Sequence, residues 1–308
     1  MSQNRNQNIE EISTAKLMWQ LTRPHTLTAT FVPVILGTVL AMFDVKIDML
    51  LFVAMLVCCL ALQIATNLFN EYYDFKRGLD TADSVGIGGA LVRHGTKPST
   101  VLTFALALYG VAVVLGVFIC MSSSWWLVAI GAVGMAIGYL YTGGPFPIAY
   151  TPFGELFAGL SMGIGFVLIS YFIQAGTVSM TSFLVSIPMG ILVGGINMSN
   201  NIRDIKEDII GGRKTLPILL GREKAVNLLA ISFVVSYVWI IVLVIMGTIS
   251  PWLLVVFISI PKPLQAIKAF KEGVNEPAKQ GIAMKSTALT NTFFGFLLSV
   301  GLVISYVL

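Results

Sequence analysis

Residues 49–80 read MLLFVAMLVCCLALQIATNLFNEYYDFKRGLD, and this stretch decides the fold. It opens with about twenty residues that carry no charge, enough for a helix to cross the hydrocarbon core of a bilayer. Asn70, Glu71, Asp74 and Asp80 follow immediately. An apolar run that ends in carboxylates predicts a membrane helix with a polar site at one end.

The composition of the whole chain agrees with that reading. Of 308 residues, 56% are hydrophobic and 11% are charged, whereas an ordinary soluble domain has about 25% charged residues. Similar apolar runs recur along the sequence, so we predict an all-α polytopic membrane protein with one integral membrane domain over residues 1–308. Nine spans are expected, at 27–43, 49–70, 101–121, 125–141, 154–174, 182–201, 225–247, 252–270 and 286–308. Pro261 and Pro263 interrupt the eighth.

The basic residues predict the orientation. Of the 19 Lys and Arg residues, all except Lys46 fall in or beside segments that emerge on the same side as the N-terminus. Short loops rich in Lys and Arg face the cytoplasm, so we expect residues 1–22 to form a cytoplasmic segment and the polar surface to be cytoplasmic. The net charge of +4 is thereby explained by topology in a lipid bilayer, and we expect no nucleic acid partner.

A second acidic cluster repeats the first. Residues 197–212 read NMSNNIRDIKEDIIGG, and Asn70, Asp74 and Gly78 are followed 134 residues later by Asp204, Asp208 and Gly212. This constant spacing predicts an internal four-helix repeat. Because four predicted spans separate the clusters, an even number, both emerge on the same face.

The spacing within each cluster suits a hard cation. Residues four apart lie on one face of a helix, so Asn70 with Asp74, and Asp204 with Asp208, each offer a pair of oxygen ligands. Magnesium prefers oxygen ligands and is usually bound by one or two carboxylates together with substrate phosphates. Carboxylates at helix ends are also common as solvated interface residues, but two equivalent clusters favour a magnesium-dependent phosphate site.

The chain also resembles the UbiA superfamily of intramembrane prenyltransferases, whose motifs run N-D-x-x-D and D-x-x-x-D. The likeness extends over residues 67–80, 93–98, 139–155 and 200–221, which are most similar to the branch that prenylates 1,4-dihydroxy-2-naphthoate in menaquinone synthesis. Two positions depart from the pattern. Glu71 stands where the superfamily usually has Asp, and Gly78 stands where several relatives carry an acid, with Asp80 as its substitute.

This resemblance implies a fold, a reaction and a set of site residues. The fold is a UbiA-like helical bundle, and the reaction is transfer of a polyprenyl group from polyprenyl diphosphate to dihydroxynaphthoate, with loss of carbon dioxide and with two Mg²⁺ ions. Catalytic and metal-binding roles fall to Asn70, Asp74, Asp204 and Asp208, with Glu71, Asp80 and Asn200 as further candidates. The substrate-binding candidates are Arg23, Asn67, Arg77, Arg93, Lys97, Tyr139, Tyr141, Asn200, Arg203 and Lys214.

Two alternatives stay open from the sequence. Within the superfamily the acceptor could be another aromatic compound, such as 4-hydroxybenzoate. From another class, many spans and a repeat are typical of secondary transporters, which place ionisable groups near the bilayer midplane. No ionisable residue lies near the centre of the clearly defined spans, which favours the enzyme.

Overall fold

The computed structural model describes residues 14–79, 91–92 and 96–308, and the regular structure in that part of the chain is helical. The all-α prediction is therefore confirmed. In chain order the helices are α1 (Thr14–Leu21), α2 (Thr28–Ala41), α3 (Met49–Lys76), α4 (Pro98–Ser122), α5 (Trp126–Leu140), α6 (Gly154–Ala175), α7 (Met180–Arg203), α8 (Ile205–Ile210), α9 (Leu216–Leu220), α10 (Arg222–Ile245), α11 (Pro251–Glu272) and α12 (Pro277–Val307).

The helices account for all nine predicted spans, but not all of them have full length. Seven helices are long and apolar enough to cross a membrane, namely α3, α4, α6, α7, α10, α11 and α12. Residues 17–41 add an eighth if the bent pair α1 and α2 is one span, and α5 is a shorter apolar helix of 15 residues. The prediction of about nine spans thus approximates seven or eight full-length ones among the described residues.

The bend between α1 and α2 is held by amide side chains from α3. The chain turns by 52° near Arg23, which has a positive φ of 52°. Gln63 Nε2 donates a hydrogen bond to the carbonyl of Thr26 at 2.8 Å, and Asn67 Nδ2 donates to the carbonyl of Thr22 at 2.9 Å. Backbone groups freed inside a bilayer need such partners, because lipid offers none.

The eighth predicted span changes helix type where its prolines lie. Residues Pro251–Ser259 form a 3₁₀ helix, and an α-helix follows over Pro261–Glu272. Proline lacks the N–H that would continue the hydrogen-bonding pattern of the preceding segment, but it is well suited to the first turn of a new helix. The predicted interruption is therefore a junction between two helix types.

Helices α6 and α7 pack backbone against backbone through glycines. A Cβ atom on Gly163 would lie 2.4 Å from Gly190 Cα, and one on Gly159 would lie 2.5 Å from the carbonyl oxygen of Gly190. The two helices can approach this closely only because these side chains are absent. This contact fixes the start of α6, at Gly154, relative to the end of α7, where the second acidic cluster lies.

The direction of the spans brings the two clusters to one end of the bundle. Consecutive spans alternate in direction, so α3, α5 and α7 end where α4, α6 and α10 begin. Helices α3 and α7 run the same way, as the predicted four-helix repeat requires.

Candidate active site

One arginine joins the two acidic clusters. Arg213 Nη2 donates to Asp74 Oδ1 at 2.7 Å, and its Nη1 donates to Asp208 Oδ1 at 3.0 Å. Asp74 lies on the last turn of α3, and Asp208 lies on the short helix α8. Carboxylates that are 134 residues apart in the sequence therefore share a single cation.

The first cluster is tied to the segment after α5. Asn70 lies one turn before Asp74 on α3, and its side-chain oxygen accepts a hydrogen bond from Thr142 Oγ1 at 2.7 Å. Arg77 donates to the carbonyls of Thr142 and Gly144, the latter at 3.0 Å. The 141–153 loop, which connects α5 to α6, thus packs directly against the end of α3.

The second cluster sits at a break between two helices. Asp204 ends α7 and begins α8, and the N–H of Asp208 still donates to the Asp204 carbonyl at 2.8 Å. The neighbouring Arg203 donates two hydrogen bonds to the Asp204 carboxylate, and its Nη2 lies 2.6 Å from Oδ2. Asn200 lies one turn earlier on α7 and is half-buried. Asp204 and Asp208 are four residues apart, and the hydrogen bond between their backbones keeps the one-turn spacing across the break.

Asp208 is the most buried aspartate of the two clusters. Its side chain is 5% exposed, and its Oδ2 has no hydrogen-bond partner. Burial raises the pKa of Asp208 from an ordinary 3.8 to about 6, the nearby carboxylates of Asp204 and Asp74 push it the same way, and Arg213 counteracts them. Burial lowers the pKa of Arg213, but the carboxylates of Asp74 and Asp208 and the hydrogen bond to Asp74 outweigh it, and the net effect is a raised pKa. Burial and the neighbouring carboxylates thus make the charged form of Asp208 less favourable than it is in water.

These donors suit a divalent cation that also binds phosphate. Among the described residues, no three His, Cys, Asp or Glu side chains form a ready-made metal cage. Magnesium seldom uses one, since it keeps waters and substrate phosphate oxygens as ligands. The Oδ2 atom of Asp208 is buried and has no hydrogen-bond partner, and Asp74 and Asp208 already share one cation. Both features suit an ion whose ligands come only in part from the protein.

Glu71 lies next to Asn70 in the sequence but points elsewhere. Its Oε1 accepts a hydrogen bond from the N–H of Leu91 at 3.1 Å, and its Oε2 lies 3.9 Å from Arg23 Nη2. The side-chain amide of Asn67 likewise bonds elsewhere, to the carbonyl of Thr22 at the bend between α1 and α2. The structure therefore brings neither Glu71 nor Asn67 to the shared guanidinium. Asp80 and Arg93 lie outside the described residues.

The predicted phosphate-binding residues divide into two groups. Arg77 and Arg203 contact the clusters as described above, and Arg23 contacts Glu71. Lys97 precedes the first turn of α4, Lys214 follows Arg213, and both are exposed. The site therefore has exposed lysines at its edge and hydrogen-bonded arginines inside it.

The two predicted tyrosines point to different places. Tyr139 shares a hydrogen bond of 2.7 Å with Tyr73, and the two rings pack edge to face. Tyr141 donates to Asn197 Oδ1 at 2.9 Å, on the inner side of α7. Tyr139 therefore belongs to an aromatic wall beside α3, whereas Tyr141 belongs to the interior between α6 and α7.

The sequence interpretation missed Arg213 and Tyr150. The ring of Tyr150 lies between the guanidinium groups of Arg77 and Arg213, at 5.4 and 5.3 Å, and its carbonyl accepts from the N–H of Lys214 at 3.0 Å. Tyr150 thus holds together an arginine from each cluster. Arg213 lies five residues after Asp208, and Tyr150 lies inside the motif-like stretch 139–155, so both signals were present in the sequence.

The fold and the site are those of an intramembrane enzyme with a duplicated acidic site at one end of a helical bundle. The model of the UbiA prenyltransferase family matches residues 30–289. The chain belongs to the UbiA prenyltransferase family.

Named relatives support this assignment. The chain is 70% identical over 295 residues to a 1,4-dihydroxy-2-naphthoate octaprenyltransferase of Bacillus subtilis, covering 96% of this chain and 94% of the relative. It is 30% identical over 255 residues to an enzyme of the same name from Mycobacterium tuberculosis, covering 82% and 85%. A UbiA homolog from Archaeoglobus fulgidus, solved bound to GPP and Mg²⁺, shares the fold with a TM-score of 0.65 at 15% identity, covering 92% and 99%.

Proposed function

We propose that this protein transfers a polyprenyl group from polyprenyl diphosphate to 1,4-dihydroxy-2-naphthoate, with loss of carbon dioxide, to give the quinol form of demethylmenaquinone. The observation that carries the proposal is the 70% identity, over nearly the full length of both chains, to the octaprenyltransferase of that name. The carboxylates that converge on Arg213 supply a chemically suitable site for the diphosphate end of the donor.

We assign the metal-binding role to Asn70, Asp74, Asp204 and Asp208 and propose two Mg²⁺ ions, one at each cluster. When bound, divalent cations neutralise the charge that develops on the diphosphate as its bond to the allylic carbon breaks. The relative from Archaeoglobus fulgidus was solved with GPP and Mg²⁺, in agreement with this assignment.

The arginines of the site hold the rest of the diphosphate charge. Arg213 is fixed by two carboxylates, and Arg77 is fixed by two loop carbonyls, so both guanidinium groups are oriented before substrate arrives. A planar guanidinium can bind two phosphate oxygens at once. Lys97 and Lys214 lie exposed at the rim, where they can attract the anionic head of the donor.

We further propose that the site opens to the cytoplasm and that the whole chain works as a single domain. By sequence, all the Lys and Arg residues except Lys46 fall in or beside segments that emerge on the same side as the N-terminus, the side on which we place the two acidic clusters. Short loops with this excess of basic residues are retained in the cytoplasm. The donor's polyprenyl chain would extend from the site between the helices toward the lipid.

A direct assay tests this function. Purified protein in detergent is given radiolabelled polyprenyl diphosphate, Mg²⁺ and, in separate reactions, dihydroxynaphthoate, 4-hydroxybenzoate or homogentisate. We expect a labelled, decarboxylated product with dihydroxynaphthoate alone, and no product when Mg²⁺ is chelated. Turnover of 4-hydroxybenzoate in place of the naphthoate, or no turnover of any acceptor, would overturn the proposal.

A further inference from the structure

Two polar atoms beside the acidic clusters are buried and have no hydrogen-bond partner: Glu155 Oε2 and Asn197 Nδ2. Glu155 is the second residue of α6 and is 9% exposed. Asn197 lies on the inner side of α7, two turns before Asp204. A buried polar group without a partner destabilises the folded protein, so two of them near the proposed active site call for a functional explanation.

Each of the two side chains is oriented by a bond that uses its other polar atom. Asn201 Nδ2 donates to Glu155 Oε1 at 2.8 Å, and Tyr141 Oη donates to Asn197 Oδ1 at 2.9 Å. Since the Asn197 oxygen accepts that bond, its NH₂ group is the free end. Two groups therefore remain without a hydrogen-bond partner. One is a carboxylate oxygen, which can only accept a hydrogen bond, and the other is an amide N–H, which can only donate one.

Glycine at position 154 leaves room for the amide of Asn197 beside the start of α6. A Cβ atom on Gly154 would lie 3.1 Å from Asn197 Nδ2 and 3.1 Å from Tyr141 Oη. The amide of Asn197 therefore lies against the backbone of the residue that precedes Glu155. Asn197 and Asn201 are also one turn apart on α7, so the partner of Glu155 and the free amide project from the same helix face.

This pair adjoins the acidic clusters. Asn201, which donates to Glu155, directly follows Asn200 and lies three residues before Asp204, where α7 ends. A molecule bound to Glu155 and Asn197 would thus lie beside the place where the diphosphate is expected. The roles proposed above for the diphosphate and its Mg²⁺ fall to other residues, which leaves Glu155 and Asn197 free for another ligand.

We infer that Glu155 and Asn197 bind a hydroxyl group of the aromatic acceptor, and that Glu155 is the base that takes its proton. The hydroxyl donates to Glu155 Oε2 and accepts from Asn197 Nδ2, which satisfies both free atoms at once. This inference rests on the proposed function, which supplies an acceptor with ring hydroxyls, and deepens it by naming the residues that recognise the acceptor.

The chemistry balances without a further reactant. The hydroxyl proton moves to Glu155, and the electron pair of the O–H bond moves into the ring. The ring carbon that bears the carboxylate then forms a bond to the allylic carbon, whose bond to diphosphate breaks. Loss of carbon dioxide returns the electron pair of the broken carbon–carbon bond to the ring, and the ring oxygen recovers its proton from Glu155. The base is thereby regenerated for the next turnover.

The test combines a conservative variant with altered acceptors. Glu155→Gln keeps the size and the bond from Asn201 but cannot take a proton. With dihydroxynaphthoate we expect kcat/KM to fall about 100-fold, within the usual range for loss of a general base, while the KM for polyprenyl diphosphate stays unchanged. Asn197→Leu should raise the KM for the acceptor. The matched control is Glu272→Gln, an exposed glutamate at the end of α11, which should match the wild type.

Methylated acceptors separate catalysis from structural damage. In one monomethyl ether of dihydroxynaphthoate the contacted hydroxyl has no proton to give, so wild type and Glu155→Gln should process that ether at the same low rate. An equal loss on the parent and on both ethers would mean a structural role and overturn the inference, as would Glu155→Gln working on the parent at the wild-type rate. Should the variant not fold, wild type alone decides: both ethers reacting as fast as the parent would overturn the inference.

The outcomes also distinguish this inference from the proposed function. If the wild type converts dihydroxynaphthoate and Glu155→Gln converts it at the same rate, only the inference is overturned. No wild-type turnover of that acceptor defeats the proposed function, and the inference with it.

Discussion

The guanidinium of Arg213 and the carboxylate of Asp74 meet at 2.7 Å across a sequence separation of 139 residues. The contact joins the two halves of the internal repeat, because Asp74 ends the second span and Arg213 follows the sixth. Both side chains are largely buried, 16% exposed for Arg213 and 18% for Asp74. An ion pair of this kind is costly to break on one side only, since the remaining charge loses its partner.

Removal of either bridged carboxylate should abolish catalysis. Asp74→Ala and Asp208→Ala each delete one side of the proposed diphosphate site, so we expect turnover in the radiolabel assay to fall below detection while size-exclusion profiles stay normal. Glu276→Ala is the control, because Glu276 is exposed, belongs to neither cluster and forms an ion pair with Lys279, at 3.0 Å. Near-normal activity of either aspartate variant would mean that its cluster is structural.

Loss of Arg213 should make stability depend on Mg²⁺. Arg213→Gln leaves Asp74 and Asp208 without their shared cation, which should cost about 3 kcal/mol. Mg²⁺ that binds only the folded protein stabilises it by an amount that grows with the logarithm of its concentration relative to Kd, so the variant should regain more thermal stability on Mg²⁺ addition than the wild type does. Thermal unfolding in detergent measures this. Asp208→Asn, which lacks one of the two carboxylates, provides the comparison. If Mg²⁺ does not raise the thermal stability of Arg213→Gln, that result would argue against a metal site between these carboxylates.

The raised pKa of Asp208 predicts how activity depends on pH. A carboxyl that titrates near 6 loses its charge, and its attraction for Mg²⁺, as the pH falls through that value. We expect kcat/KM to fall on the acidic side with a midpoint near 6 at low Mg²⁺, and the midpoint to move to lower pH as Mg²⁺ is raised, because metal competes with the proton. A midpoint that does not respond to Mg²⁺ would assign the titration to another group.

The free energy of unfolding should also depend on the protonation of Asp208, but this contribution should rise, whereas activity falls, as the pH is lowered. The pKa of Asp208 lies above its ordinary value of 3.8, so between about pH 4 and 6 the folded protein binds more protons than the unfolded chain. Without Mg²⁺, the contribution of Asp208 therefore favours folding more strongly as the pH falls through this window. Thermal unfolding of wild type against Asp208→Asn across this range isolates that contribution.

Much of this structure could be predicted from local sequence. Apolar runs located the spans because a bilayer demands a minimum length of uncharged helix, and the 134-residue spacing predicted that α3 and α7 end on the same face. The direction of individual side chains could not be predicted. Glu71 follows Asn70 directly, yet it lies about 100° around the helix and takes Leu91 and Arg23 as partners, which only the tertiary structure reveals.

The same limit explains why Arg213 was counted as one basic residue among many. Its sequence neighbourhood shows an arginine near an acidic cluster, a common feature of cytoplasmic loops. Its contact with Asp74 depends on the packing of the repeat halves, and its stacking on Tyr150 depends on the path of the 141–153 loop. Side-chain roles that require two distant segments to meet are therefore the part that sequence alone leaves open.

The glycine contact between α6 and α7 should be intolerant of even one methyl group. Gly163→Ala places a Cβ atom 2.4 Å from Gly190 Cα, so the helices must separate at a cost of about 1–3 kcal/mol. Gly131→Ala on α5 is the matched control, since a Cβ atom there meets nothing within 4 Å and alanine favours a helix. Thermal unfolding should show a large loss for the first and none for the second. Equal stability of the two variants would mean that the close packing contributes little.

The excess of basic residues at the site end predicts which side of the membrane each loop faces. The three native cysteines, Cys58, Cys59 and Cys120, are buried, so an introduced cysteine should dominate reaction with a membrane-impermeant maleimide. We expect Lys271→Cys, at the site end of α11, to react in inside-out vesicles and not in intact cells. Lys46→Cys, in the loop between α2 and α3, should do the reverse. Both native side chains are exposed, so accessibility depends on the side of the membrane rather than on burial. Labelling of Lys271→Cys from outside intact cells would invert the proposed orientation and place the active site on the opposite face.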